Sequence, residues 1–338
     1  MKPLIFKKVL MVRMDRIGDL ILTLPVDQLS GFKNSDITWL IQRGMEFLPE
    51  NSSPKRKYVS WDRRFYFRSA WTLFQFLRRE RFDAAIFFHA PWWLSAVCML
   101  AGIHFRAGVR SQWHSYIFLS RGIRQKRSHA KYHESEYNKR LVQQALRWDT
   151  KESVGSPLKV NYPVDYSRLK TLGLEENYIV VHPGMAGSAR NWTVPLYAEF
   201  IEDLAKKDQI VVTASPSDQP WVEQIKEKVQ HSNVKWSVIT DAKDWLNVLA
   251  ASRAVIAPST GTIHVAASLG VPCLGIYSPV RVQAPKRWGP LGANVGIIVP
   301  DVECPGHMKC LMESCPRFDC MRDITVEEVK AGLSKIMG

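Results

Sequence analysis

The sequence predicts an α/β protein made of two doubly wound parallel-sheet domains. Three observations carry that expectation. Short β-branched runs alternate with helical segments along the whole chain, which is the pattern of βαβ units. The pattern restarts near residue 178, after an irregular stretch. The 27 residues between Arg253 and Arg281 carry no charge, as expected of strands and a close-packed helix in a parallel sheet covered on both faces.

In the first half, KVLMVRM (8–14) reads as a strand and the segment after Gly18 as a helix. ITWLIQ (37–42) and AAIFF (84–88) are further strands, with a helix over about 67–80 between them. His89 and Pro91 then break an uncharged run and leave a helix of about three turns, too short to span a bilayer. Segment 120–140 is polar and basic and leads into a helix carrying Leu141, Val142, Ala145 and Leu146. Residues 151–173, with two prolines and no period, read as a linker. The second half supplies strands at 178–184, 209–215, 234–240, 254–259 and 272–278, each pair spanned by a helical segment. ITVEEVKAGLSKIM (324–337) closes the chain as a helix that Thr325 can cap, with Glu328 three residues on. The expected division is 1–160, 174–323 and a terminal helix over 324–338.

Composition narrows the partners. Hydrophobic residues make up 46% and charged residues 23%, a globular balance. A formal charge of +14 leans towards anionic partners: nucleic acid, phosphorylated substrates or an acidic membrane surface. Lys7, Lys8 and Arg13 break up the N-terminal apolar residues, which argues against a signal peptide and for a reducing, cytoplasmic setting. Cys304, Cys310, Cys315 and Cys320 are spaced C-x5-C-x4-C-x4-C, which meets zinc-site spacing only in part. A structural role as free packed thiols or disulfides is the expectation and zinc the alternative. No G-x-G-x-x-G follows either first strand, which disfavours a nicotinamide dehydrogenase. No nucleic-acid motif accompanies the charge, so a basic nucleic-acid-binding protein is a rival reading and nucleic acid is not an expected partner.

Three stretches fall at predicted strand ends, where open α/β sheets bind ligands. In VRMDRIGDL (12–20), Gly18 makes a generic phosphate-loop turn. Asp19 is either a carboxylate favoured by a helix start or a general base facing an incoming hydroxyl. VHPGMAGSARNW (181–192) is a glycine-rich loop in which Ser188 and Arg190 are candidates for a phosphate, Arg190 in a fork geometry; the alternative is an ordinary turn with a surface arginine. APSTGTIHVAASLG (257–270) places Ser259, Thr260 and Gly261 at a helix start, where backbone N–H groups can hold a phosphate. His264, one turn on, either faces the same pocket or packs in the core.

Taken together, these stretches resemble the heptosyltransferase family, glycosyltransferase family 9. VLMVRMDRIGDLILTLPV (9–26) looks like its opening strand, Gly-Asp turn and Thr-Leu-Pro; VVHPGMAGSARNWTVPLYAEFI (180–201) is similar to its phosphate loop. APSTGTIHVAASLGVPCLGIYSP resembles its donor segment, and ECPGHMKCLMESCPRFDCMRDITVEEV its cysteine-bearing tail. The resemblance implies a GT-B fold of two facing Rossmann-like domains and a metal-independent, inverting transfer from a nucleotide sugar, ADP-heptose, with no cofactor. It implies Asp19 as base, Ser188, Arg190, Thr260 and Gly261 on the diphosphate, and Asp218 on the ribose, where a solvated loop aspartate is the other reading. The implied acceptor is lipopolysaccharide core at the cytoplasmic face of the inner membrane. There the basic 120–140 segment and Trp92, Trp93 and Trp113 would meet anionic lipid, or else form a solvated face and packed core. Two departures stand out. Ser259 replaces an Asp common among heptose-transferring members, which leaves donor and acceptor open to another nucleotide sugar or a non-lipid acceptor. Arg190 stands where Lys is common and keeps the charge.

Overall fold

The computed structural model describes residues 2–149, 157–185, 187, 189–306 and 308–338. It divides into two units, Met1–Arg127 with Tyr132–Leu158, and Ser128–Lys131 with Lys159–Gly338.

The first unit holds strands β1 (Lys8–Arg13), β2 (Asp36–Gln42), β3 (Tyr58–Trp61), β4 (Ala84–His89), β5 (Phe105–Val109) and β6 (Arg121–Ile123). They form one parallel sheet in the order β3-β2-β1-β4-β5-β6. The second unit holds β7 (Tyr178–Val181), β8 (Gln209–Ala214), β9 (Val234–Val238), β10 (Ala254–Pro258), β11 (Cys273–Ile276) and β12 (Val295–Ile298). Its sheet is also parallel, in the order β9-β8-β7-β10-β11-β12. Both sheets therefore start in the middle, run to one edge, return and run to the other. The reversal falls between β1 and β4 in one and between β7 and β10 in the other, and the crevice at the carboxyl ends of such strands is where this topology binds ligands.

Around the sheets lie α1 (Ile17–Ile21), α2 (Phe67–Glu80), α3 (Trp92–Leu100), α4 (Trp113–Phe118), α5 (Glu134–Leu146), α6 (Tyr166–Thr171), α7 (Val194–Ala205), α8 (Gln219–Lys226), α9 (Ala242–Ala250), α10 (Gly261–Leu269) and α11 (Val326–Met337). Helical periodicity explains their seating. α2 buries Ala70, Leu73 and Leu77, and α5 buries the expected Leu141, Val142, Ala145 and Leu146. Thr325 and Glu328 close a reciprocal capping box on α11. Every residue of β10 and β11 is buried, as the uncharged run implied. Each unit has its own core, one around Leu10, Leu40, Leu73 and Leu94, the other around Val181, Phe200, Val212 and Ile256. Among the described residues no helix is long and apolar enough to cross a membrane.

The structure departs from the sequence reading in three places. The helix after Gly18 has only five residues and passes into a 3-10 turn at Leu24–Gln28, because Pro25 has no N–H to continue the α-helical ladder. Of the expected linker, 151–156 lie outside the described residues, while α6 belongs to the second unit. Asp165 caps it and exchanges two 2.7 Å hydrogen bonds with buried Asn247 on α9, a long-range anchor no local pattern shows. Strands β3, β5, β6 and β12 were not expected. β3, β6 and β12 are half-exposed edges, and the apolar pattern of β5 is broken by Arg106, whose buried guanidinium donates to the carbonyls of Phe118, Ile103 and His104.

Candidate active site

In the first unit the site is built on the end of β1. Its pairing with β4 shifts register at Val12–Arg13, which sets Arg13 opposite His89, and Met14 N–H then donates to His89 at 2.9 Å. Arg13 is buried, so its charge needs compensation. It receives that from a bidentate pair with Asp15 at 2.7 and 2.9 Å, from a hydrogen bond to Asp19, and from Glu134 at 3.7 Å. Glu134, at the start of α5, also accepts from Arg127 at 2.5 Å. The short helix is tied down in turn: Thr23 donates to the Asp19 carbonyl at 2.6 Å, and Asn138 of α5 donates to Thr23 at 2.9 Å.

Asp19 therefore sits at the first sheet's switch point with its carboxylate held by a fixed guanidinium. Burial raises its pKa to about 6; Arg13 and Arg16 oppose the rise, while Asp15 and Glu134 add to it. A carboxylate of that basicity is still ionised near neutral pH and accepts a proton more readily than an exposed aspartate. Burial would lower the Arg13 pKa, but the three carboxylates outweigh it and raise it, so this cation stays charged. Gly18 is buried beside Asp19 in the same turn. The sequence reading missed Arg13, Asp15 and Glu134. A lone arginine ending an apolar strand was the available signal for the first of them.

In the second unit the loop after β7 and the turn after β10 follow the two strands that flank the switch point. The β7 loop is held by Asn191, which donates to Pro183 at 2.7 Å and accepts from Trp192 N–H at 2.9 Å and from Tyr197 at 3.1 Å. Buried Trp192 donates to Ile324 at 2.9 Å and fixes the loop's exit to the chain that precedes α11. Asp218 lies against this loop: a Cβ on Gly184 would stand 2.4 Å from the Asp218 Cγ, so only glycine fits there. Ser215 donates to Asp218 at 2.5 Å. His182 beside it is buried, bonded to Thr213 at 2.9 Å, and held neutral, its pKa lowered to about 4 by burial although Asp218 pulls the other way.

Ser188 lies outside the described residues. Arg190 is engaged with the cysteine-bearing tail: Nη2 donates to the Phe318 carbonyl at 2.7 Å and the guanidinium covers the Phe318 ring at 4.6 Å. Cys304, Cys310, Cys315 and Cys320 are half-buried free thiols. Burial raises the Cys320 pKa, Arg190 lowers it and the other three cysteines raise it, so the four lie within electrostatic reach of one another. Among the described residues no group of three His, Cys, Asp or Glu has the geometry to hold a metal.

The Ser-Thr-Gly turn opens α10 with Thr260 at the N-cap in extended conformation and Gly261 as its first residue. Ser259 hydrogen-bonds the hydroxyl of buried Tyr277, which donates to Trp288 at 2.8 Å. Tyr277 lies where a Cβ on Gly275 would be, 2.5 Å from its ring. His264 is buried one turn into α10. The turn thus combines a helix N-terminus with an uncharged, close-packed surround, where backbone donors act at reduced dielectric.

Known proteins resemble this chain in sequence and in fold. The model of glycosyltransferase family 9 (heptosyltransferase) matches residues 70–317. A Haemophilus influenzae protein whose name carries a provisional glycosyltransferase assignment is 27% identical over 300 residues, 84% of this chain and 86% of its own. Lipopolysaccharide heptosyltransferase 1 of Pseudomonas aeruginosa is 26% identical over 176 residues, 51% of this chain and 47% of its own. The solved structure of E. coli ADP-heptose lps heptosyltransferase II superposes with a TM-score of 0.79 at 19% identity, covering 98% of each chain. With the family model matched over most of its length and two parallel six-stranded units of the GT-B class, the chain belongs to glycosyltransferase family 9 and is a glycosyltransferase.

Proposed function

We propose that this glycosyltransferase moves a heptose from ADP-heptose onto a sugar hydroxyl of the lipopolysaccharide core, with inversion and without a divalent ion. The observation that carries the reading is Asp19: a half-buried carboxylate in the short helix after β1, held by Arg13 and more basic than an ordinary aspartate. In the proposed reaction the Asp19 carboxylate takes the proton of the acceptor hydroxyl. The hydroxyl oxygen attacks the anomeric carbon from the side opposite the diphosphate, the bond from that carbon to the diphosphate breaks, and ADP leaves. The N-terminus of α10 with Thr260 and Gly261, together with Ser188 and Arg190, neutralises the leaving diphosphate. Asp218, beside the β7 loop, takes the ribose. The names of the Pseudomonas and E. coli relatives support the donor and acceptor classes, and the acceptor sets the place of action at the cytoplasmic face of the inner membrane.

Ser259 favours a second reading within the family, transfer of another sugar, because a hydroxyl bonded to Tyr277 stands where heptose-transferring members often have a carboxylate. One experiment separates the two. Purified protein is incubated with a truncated core acceptor and a panel of nucleotide sugars, and the product is weighed by mass spectrometry. A heptosyl adduct from ADP-heptose alone is expected; an adduct from a different donor replaces the first reading with the second.

A further inference from the structure

We propose that a cavity at the amino end of the first sheet is a second small-molecule site, shaped for a phosphorylated sugar and separate from the place of transfer. Lys7, Asp83 and His104 line it, each the residue immediately before a strand: β1, β4 and β5 in turn. Arg78 and Arg81 close it from the end of α2. Its volume is about 810 Å³, within the roughly 300–1,000 Å³ of small-molecule pockets. Open α/β sheets bind ligands at the carboxyl ends of their strands. The length of β1 puts roughly 17 Å between this cavity and that end.

The acids nearby are already engaged. Glu80 pairs with Lys8 at 2.7 Å and Arg79 at 3.7 Å, and one oxygen of Asp83 accepts the Lys8 N–H at 2.8 Å. Among the described residues Lys7, Arg78 and Arg81 form no ion pair. Three such cations around one concavity attract a multiply charged anion, and the guanidinium fork suits phosphate. A helix C-terminus favours cations by itself, which would account for Arg78. It does not account for Arg81. That residue ends α2 in the left-handed conformation, φ 52°, where glycine or asparagine is the easier choice. What arginine adds there is a side chain that lines the cavity.

The remaining wall selects the body that carries the phosphate. α2 and α3 both end at the cavity, and helix ends leave carbonyl oxygens without helical donors. With the other Asp83 oxygen, these are acceptors for hydroxyl groups. Ile5, 72% exposed, and Phe6, whose ring lies 4.7 Å from that of Phe105, give an apolar wall for the C–H face of a sugar ring. The frame is fixed. Lys8 Nζ donates to the Glu80 carbonyl at 2.7 Å, tying α2 to β1, and buried Arg106 holds the Ile103 and His104 carbonyls at 2.5 and 3.0 Å. A sugar phosphate brings hydroxyl donors, an apolar face and a dianion together; inorganic phosphate brings only the last.

Calorimetric titration of the full-length protein with glucose 6-phosphate, with and without excess ADP, tests the site. One-to-one binding is expected, unchanged by ADP, weakened by salt and tighter than for inorganic phosphate, glucose or AMP. Arg78→Gln and Arg81→Asn should each weaken it about tenfold. Without ligand, Arg81→Asn should melt no lower than wild type, because asparagine tolerates the left-handed conformation. Lys228→Gln, which removes an exposed charge from the second unit, should leave the affinity unchanged. In histidine-labelled protein the His104 ring resonances, assigned from His104→Gln, should shift along the same titration curve. Binding retained in full by the Arg78 and Arg81 variants, or lost equally in Lys228→Gln, would overturn the proposal. So would displacement of the probe by ADP, or inorganic phosphate or AMP binding as tightly as glucose 6-phosphate.

Discussion

Asp19 gains basicity from burial and loses charge stability by it, and both consequences can be measured. Asp19→Asn should abolish transfer while nucleotide-sugar affinity stays near wild type, read by product formation and calorimetric titration; substantial turnover would remove Asp19 from the role. With a pKa moved from 3.8 to about 6, wild-type kcat/KM should fall as pH drops through about 6. An acid that is weaker folded than unfolded binds more protons in the native state, so this group's contribution to stability declines as pH rises between those two values. Asp19→Asn should consequently melt no lower than wild type at pH 8. Glu134 adds to the Asp19 shift without being the base, so Glu134→Gln should move the acidic limb of the rate profile to lower pH. An unmoved limb would leave Glu134 a purely structural partner of Arg13 and Arg127. Arg190→Ala should lower turnover about a hundredfold or more, Arg190→Lys should recover part of it, and activity should survive EDTA. Loss in EDTA restored by magnesium would give the leaving group to a metal instead.

At the scale of elements, the loop after β7 shows how much of a site is held from outside it. Its entrance needs a glycine because Asp218 fills the Cβ position of Gly184, and its exit needs Trp192 because that side chain closes the core and bonds Ile324. Gly184→Ala should displace Asp218 and weaken ADP binding while leaving the first unit's stability unchanged. Trp192→Ala should cost about 3–5 kcal/mol, the range for emptying a buried aromatic site, read by denaturant unfolding. A loss well under that would mean the tail and α7 close over the gap.

At the scale of the whole molecule, two separate cores imply two cooperative units. Scanning calorimetry should resolve two transitions. ADP at a hundred times its dissociation constant should stabilise one of them by about 2.7 kcal/mol, a shift of roughly 5–10 °C for a unit of this size. Equal shifts of both transitions would overturn the assignment of the nucleotide to the second unit alone.

The sequence by itself determined the class of the molecule. Alternating apolar runs and helical periods gave the two parallel sheets because buried strands must be apolar on both faces, and α2 and the uncharged β10–α10–β11 segment were legible from that rule alone. It also marked the strand ends carrying Asp19, Gly184 and the Ser-Thr-Gly turn, since a turn that meets a phosphate needs small residues at fixed offsets. Only the tertiary structure decided the rest. Half-exposed edge strands such as β6 have no strong pattern, and α6 owes its place to an asparagine 82 residues away. Asp15, Asp19 and Glu134 converge on Arg13 from a turn, a short helix and a distant helix. The same distinction separates Trp92 from Trp93: neighbours in sequence, one is half exposed and the other buried, because a helix turns about 100° per residue and only packing fixes which face meets the core.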